Sequence, residues 1–228
     1  MREQREFDLP FEDRIHAGRA LADRLAPYRG RDVLVLGIPR GGVPVAAEVA
    51  RRLDADLDVV VARKLGAPGE PELAIGAVTA NGGEFLNEDV VRSLGVSDAY
   101  IHGVKREQME EARRRETRFR GDRPAEGMQD RVAIVVDDGL ATGATMRAAV
   151  RSVRKHRPAR LIVAVPVGSR EACAALRDEA DEVVCLSVPE PFGAVGSFYR
   201  NFEPVEDAEV GSILREFSAR HGAATKAG

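Results

Sequence analysis

Short, nearly continuous apolar runs recur along this chain at residues 33–36, 57–62, 131–136, 161–165 and 183–186, and segments with helical periodicity separate most of them. A run without polar alternation suits a strand covered on both faces, as in a parallel sheet. Residues 13–25, 43–53, 145–156 and 170–179 carry the amphipathic spacing of helices. The alternation predicts an α/β fold: a Rossmann-like, mostly parallel sheet flanked by helices and joined by right-handed crossovers. Residues 63–73 contain Gly66, Pro68, Gly69 and Pro71 and are expected to form a mobile loop. Residues 74–79 form a further strand, and Glu84, Phe85 and Leu86 a short edge strand. Residues 88–120 are helical with breaks near Gly95 and Gly103, and 121–127 are a linker. A last helix covers about 210–217.

The run Ile134, Val135, Val136 stops at two adjacent carboxylates, Asp137 and Asp138. A loop of small and hydroxylated residues follows (Gly139, Leu140, Ala141, Thr142, Gly143, Ala144, Thr145), and then a helix opens. Carboxylates at the end of a strand accept hydrogen bonds from sugar hydroxyls. A small-residue loop at a helix N-terminus offers bare N–H groups and hydroxyls to a phosphate. Together they describe a ribose 5-phosphate cradle. An acidic strand end with an ordinary helix cap is the plainer alternative, but it needs neither two acids nor so small a loop.

A second loop, Pro39, Arg40, Gly41, Gly42, follows the first predicted strand. Its glycines permit close approach of the backbone to a ligand, and Arg40 offers a fork suited to phosphate oxygens. Arg63 and Lys64 end the second predicted strand; they suit a diphosphate, or simply cap the strand. Ligands in open α/β sheets bind beyond the C-terminal strand ends where strand order reverses. If the strands at 33 and 132 are neighbours there, the two loops converge.

The acidic pair with its Thr-Gly loop resembles the phosphoribosyl diphosphate (PRPP) motif of type I phosphoribosyltransferases. The strings 38–46, 63–78 and 135–149 resemble a bacterial subgroup of that family without a settled acceptor. The resemblance covers most of the chain. It implies one domain over residues 1–228, with a core at about 31–187, a helical insertion at about 88–125, and N- and C-terminal segments as a variable hood over the acceptor. It further implies transfer of the 5-phosphoribosyl group of PRPP to a nitrogenous acceptor, a nucleobase or related heterocycle, with release of diphosphate. Asp137, Asp138 and Arg40 would be catalytic. Pro39, Gly41, Gly42, Arg63, Lys64, Ala141, Thr142, Gly143, Ala144 and Thr145 would bind substrate. Mg²⁺ would be the cofactor, held mainly by PRPP and water and touched by Asp137 and Asp138. A homodimer is the family's expectation. The 6-oxopurine members carry an aspartate three residues after the acidic pair, where this chain has Ala141. They also carry a lysine near the end of the next strand, where this chain reads Val165, Pro166, Val167, Gly168. Hypoxanthine and guanine are disfavoured accordingly.

Other classes fit less well. A regulator that binds PRPP or a nucleotide without efficient transfer is the main alternative, though such proteins usually carry a nucleic-acid-binding attachment. A pyrophosphokinase would show two tandem copies of the motif. A phosphatase would leave Pro39 to Gly42 unexplained. Lys plus Arg number 34 against 37 Asp plus Glu, a formal charge of −3, which argues against nucleic-acid and membrane surfaces as partners. No apolar run reaches membrane-spanning length, and the charged start at 1–6 lacks the apolar stretch of a signal peptide, so the cytoplasm is expected. His16, His102, His156 and His221 are scattered, and Cys173 and Cys185 read as small core residues without metal-ligand spacing. The charged segment 105–118 reads as a solvated helix face laced with ion pairs, or as a border to a phosphate site or dimer contact. Phe192, Phe198, Tyr199 and Phe202 could stack on a base or pack the tail onto the core.

Overall fold

The computed structural model describes residues 9–224; the charged start at 1–6 and the His221 side chain lie outside what it describes. At its centre is a five-stranded sheet with β1 (Val33–Gly37), β2 (Asp56–Val59), β6 (Val132–Val136), β7 (Arg160–Val167) and β8 (Glu182–Ser187), in the order β2-β1-β6-β7-β8. All four pairings are parallel. Successive residues of a strand face opposite sides, and the core divides accordingly. Val33, Val35, Ile134, Val136, Ile162 and Ala164 face one apolar layer, and Leu34, Leu36, Ala133, Val135, Leu161 and Val163 face the other. The first layer includes residues of α1 (Arg14–Arg24), α2 (Gly42–Leu53) and α7 (Asp207–Ala224), and the second those of α5 (Ala144–Lys155) and α6 (Arg170–Leu176).

The direction of travel explains this division. From β1 the chain moves outward to β2 through α2; from β6 it moves the other way, to β7, through α5. Right-handed crossovers in opposite directions put the two helices on opposite faces. Pro44 sits in the first turn of α2, where its missing N–H removes no helical bond. Ser169 caps α6, its hydroxyl accepting from Ala172 N–H at 3.1 Å.

The segment expected as a mobile loop is instead a hairpin. β3 (Ala62–Ala67) and β4 (Glu70–Thr79) pair antiparallel, and β5 (Glu84–Leu86) adds the expected edge strand, giving a second, three-stranded sheet. Gly69, at φ +78°, makes the tight turn after Pro68. Gly66 lies at a register shift, where a Cβ would stand 2.7 Å from the Pro71 carbonyl oxygen. Leu65, Ile75 and Val78 form a small core of their own with Ile101.

The helical stretch that follows comprises α3 (Glu88–Ser93) and α4 (Asp98–Arg120). The break at Gly95 is present, with φ +61°, but α4 runs through Gly103. The charged segment has the expected pairs one turn apart, Arg113–Glu110 and Arg114–Glu111 among them. Its end is not a solvated face. Arg120 Nε donates to both oxygens of the buried Asp58 on β2, at 2.9 and 3.1 Å, and its Nη2 to the Val59 carbonyl at 2.9 Å. Glu116 accepts from Arg120 at 3.1 Å and from Val61 N–H at 3.2 Å. Glu126 N–H completes the ring of donors around Asp58. This network clamps α4 to the outer edge of the parallel sheet.

Cys173 is buried and Cys185 half-buried, and both are free. No described helix is long and apolar enough to cross a membrane.

Removing the guanidinium leaves Asp58 buried without its countercharge. Arg120→Ala is therefore expected to lower stability by about 3 kcal/mol. Arg92→Ala, which breaks an exposed pair with Asp89, should change it by less than about 0.5 kcal/mol; urea denaturation of the two variants measures the difference. Gly103→Ala adds its methyl to open space within a helix and should stabilise by about 0.5–1 kcal/mol.

Candidate active site

β1 and β6 are neighbours in register, Gly37 opposite Val136, so the loops that follow them leave the same sheet edge at the point where strand order reverses. The β1 loop presses on the acidic pair. A Cβ on Gly41 would stand 1.9 Å from Asp138 Oδ2. One on Gly42 would stand 2.7 Å from the Val136 carbonyl and 2.8 Å from Asp137 Cα. Only glycine lets the start of α2 approach the end of β6 this closely. The glycines expected to approach a ligand thus have a packing duty as well. The Pro39–Arg40 peptide is cis, with Pro39 half-buried.

Both acids are partly buried. Asp137 Oδ1 accepts from the Asp138 N–H at 2.9 Å. Asp138 Oδ2 accepts from Arg14 Nε at 2.8 Å. Burial, and then the charge of Asp138, push the Asp137 carboxyl well above the usual carboxylate range. Burial raises Asp138 too, against the opposing pull of the Arg14 guanidinium. At this end of β6 the pair holds protons more tightly than two surface aspartates do.

The loop beyond them is pinned from the β7 side. Leu140 N–H donates to the Val167 carbonyl at 2.9 Å, Ser169 N–H to the Leu140 carbonyl at 2.8 Å, and the Ser169 hydroxyl to the Ala141 carbonyl at 2.7 Å. Ala141 and Thr142 are exposed, Gly143 takes φ +78° as the cap of α5, and Ala144 and Thr145 begin the helix. Arg147 N–H donates to the Gly143 carbonyl at 2.8 Å. The N–H groups of Ala144, Thr145 and Met146 therefore precede the helical ladder, at its positive end.

The remaining predicted cations are not gathered onto the acids. Arg40 is exposed and lies 3.8 Å from Glu206 and 3.7 Å from Asp207, at the start of α7. Arg63 donates to Gln108 on α4 at 3.2 Å; burial, and then the neighbouring Arg115, hold its guanidinium below its ordinary value. Lys64 is exposed on β3.

The segment at Phe11 and the segment 195–202 meet beside the acidic pair. Phe11 bridges to Tyr199 through backbone bonds, and Tyr199 packs its ring against Phe11 and Phe202. Val195 lies over Gly139, where a Cβ would meet its side chain at 2.3 Å. The Tyr199 hydroxyl donates to the Asp138 carbonyl at 2.5 Å. Burial, and then the charge of Asp138, raise that phenol, so it stays a donor. Tyr199 is thus packed into the core, and the rest of the aromatic tail is half-buried against it. Arg14, Tyr199 and Ser169 carry no motif in the sequence. Only the clustering of aromatics near 198–202 hinted at one of them.

A family model described as the phosphoribosyl transferase domain matches residues 12–203. The protein named "Putative phosphoribosyl transferase Rv0571c" from Mycobacterium tuberculosis H37Rv is 50% identical over 204 residues, which are 90% of this chain and 46% of that protein. Its counterpart in strain CDC 1551 gives the same figures. The chain spans about half the length of these curated relatives. The crystal structure of TT1426 from Thermus thermophilus is 47% identical, with a TM-score of 0.78, covering 92% of this chain and 99% of that one. The structure of AQ2163 from Aquifex aeolicus, 12% identical with a TM-score of 0.51 over 80% of this chain and 78% of that one, shares the fold alone. This chain belongs to the phosphoribosyl transferase domain family.

Proposed function

We propose that the chain binds PRPP at the joined ends of β1 and β6 and transfers its 5-phosphoribosyl group to a nitrogenous acceptor, releasing diphosphate. The observation that carries this reading is the convergence on one sheet edge of an acidic pair, a glycine loop and an open helix N-terminus. Each part answers one part of the donor. The first-turn N–H groups of α5 and the Thr142 and Thr145 hydroxyls hold the 5-phosphate. Asp137 and Asp138 accept from the ribose hydroxyls. Arg40 turns from Glu206 and Asp207 to the diphosphate, with Arg63 and Lys64 reaching it from the hairpin.

In the transfer, the anomeric carbon–oxygen bond to diphosphate breaks, a carbon–nitrogen bond to the acceptor forms, and the acceptor nitrogen gives up a proton. Positive charge develops on the sugar as the leaving group departs. Negative charge on the acid pair, held in place by the fold, favours it, and Arg40 favours the departing anion once it has turned to it. Among the described residues no cluster of three or more His, Cys, Asp or Glu side chains forms a cation cage. The hard oxygens of Asp137 and Asp138 fit Mg²⁺ bound mainly by the substrate and water. Bound there, the ion would neutralise diphosphate charge. The half-buried cover at 192–202 limits access of water to the sugar side.

Isothermal titration with PRPP and Mg²⁺, followed by diphosphate release with pooled heterocyclic and amine acceptors, tests the reading. Absence of PRPP binding sinks it; binding without acceptor-dependent diphosphate favours the regulatory alternative. Arg40→Gln should weaken inorganic diphosphate at least about tenfold, the worth of a charged hydrogen bond, and leave ribose 5-phosphate unchanged.

Asp137→Asn keeps the acceptor for the Asp138 N–H but removes the crowded charge. A carboxyl raised in the folded state loses stability as pH climbs from its unfolded value toward its folded one, because the folded form holds the extra proton. The variant should therefore melt higher than wild type at pH 8, by about 2–4 °C for each kcal/mol relieved. The gap should close in acid, and PRPP affinity should fall. Gly41→Ala should displace Asp138 and abolish PRPP binding, at about 1–3 kcal/mol of stability; calorimetry and melting curves on one preparation separate the effects.

A further inference from the structure

Arg14 opens α1, whose N-cap Asp13 accepts from His16 N–H at 2.7 Å. Its guanidinium serves three partners from two distant parts of the chain. Nε donates to Asp138 Oδ2 at 2.8 Å, Nη1 donates to the Glu203 carbonyl at 2.8 Å, and Cζ lies over the Phe202 ring, 3.8 Å from its centroid. The side chain is only 11% exposed. Asp138 is thus gripped twice by groups distant in sequence: its carboxylate by Arg14 and its carbonyl by Tyr199.

We propose that Arg14 is a positioning residue for the donor sugar: it fixes the Asp138 carboxylate to receive a ribose hydroxyl and ties it to the segment 199–203 folded above. This rests on the reading of the site as a PRPP cradle. A planar fork can bond in two directions while lying flat on a ring, and an ammonium cannot. The three contacts therefore require arginine rather than charge alone. The same guanidinium anchors both the carboxylate and the segment folded above it.

A double-mutant cycle on the full chain, read by calorimetry, tests this. Arg14→Ala should weaken PRPP and ribose 5-phosphate at least about tenfold, as expected for a hydrogen bond to a charged group, while inorganic diphosphate changes less than about twofold. In the Asp138→Asn background the same change should cost little more, because Arg14 acts through that carboxylate. Arg14→Lys keeps the charge and a folded α1, and should recover less than half of the lost binding free energy. Full additivity in the cycle, full rescue by lysine, or equal loss of all three ligands overturns the role of Arg14 while PRPP binding by wild type stands. Wild type that binds no PRPP overturns the functional reading first, and this inference with it.

Discussion

The structure depends on a close approach. Between the start of α2 and the end of β6 there is no room for a side chain: Cβ atoms at Gly41 and Gly42 would stand 1.9 to 2.8 Å from Asp138 Oδ2 and the backbone of Val136 and Asp137. That contact lets β1 and β6 run in register to their last residues. It also puts the outward-moving halves of the sheet back to back, so that α2 and α5 begin at the same edge from opposite faces. The site is a consequence of this topology. Two helix starts and two carboxylates converge because strand order reverses between them.

The parallel strands were legible because each is covered on both faces, which leaves an apolar run that no exposed segment resembles. The hairpin at 62–79 was not, since a tight turn and a register shift use the same residues as a loop. Gly69 is at a left-handed turn and Gly66 at the crossing of Pro71, yet in sequence both look like punctuation. Likewise Glu116 and Arg120 have the spacing of a solvated helical pair. What makes them a clamp is Asp58, 62 residues before Arg120. A single acid inside the second apolar run was the available signal.

At the site the legible parts were contiguous ones. Residues 137–145 and 39–42 were each singled out from local sequence, and the structure sets them side by side. Arg14 was illegible because its partners lie 124 and 189 residues away. Nothing in an amphipathic helix marks one arginine as facing inward. Arg40, Arg63 and Lys64 sit where the sequence put them in the chain, but their side chains answer to Glu206, Asp207, Gln108 and solvent. A loop's position follows from topology, whereas a long cation's direction follows from whichever anion is nearest.

The charge balance of the acid pair carries the argument further. Two neighbouring carboxylates removed from bulk water oppose folding, and a fold indifferent to function would replace one by an amide. This one retains both and supplies one arginine, which compensates Asp138 and leaves Asp137 to hold a proton or to await another partner. A site one cation short of its carboxylates is completed by a ligand that brings hydroxyl donors, developing positive charge, or a bound metal ion. On the proposed reading PRPP with Mg²⁺ brings all three. The local instability is then the counterpart of the binding: the donor sugar's hydroxyls and its developing charge offset the crowding of the two carboxylates.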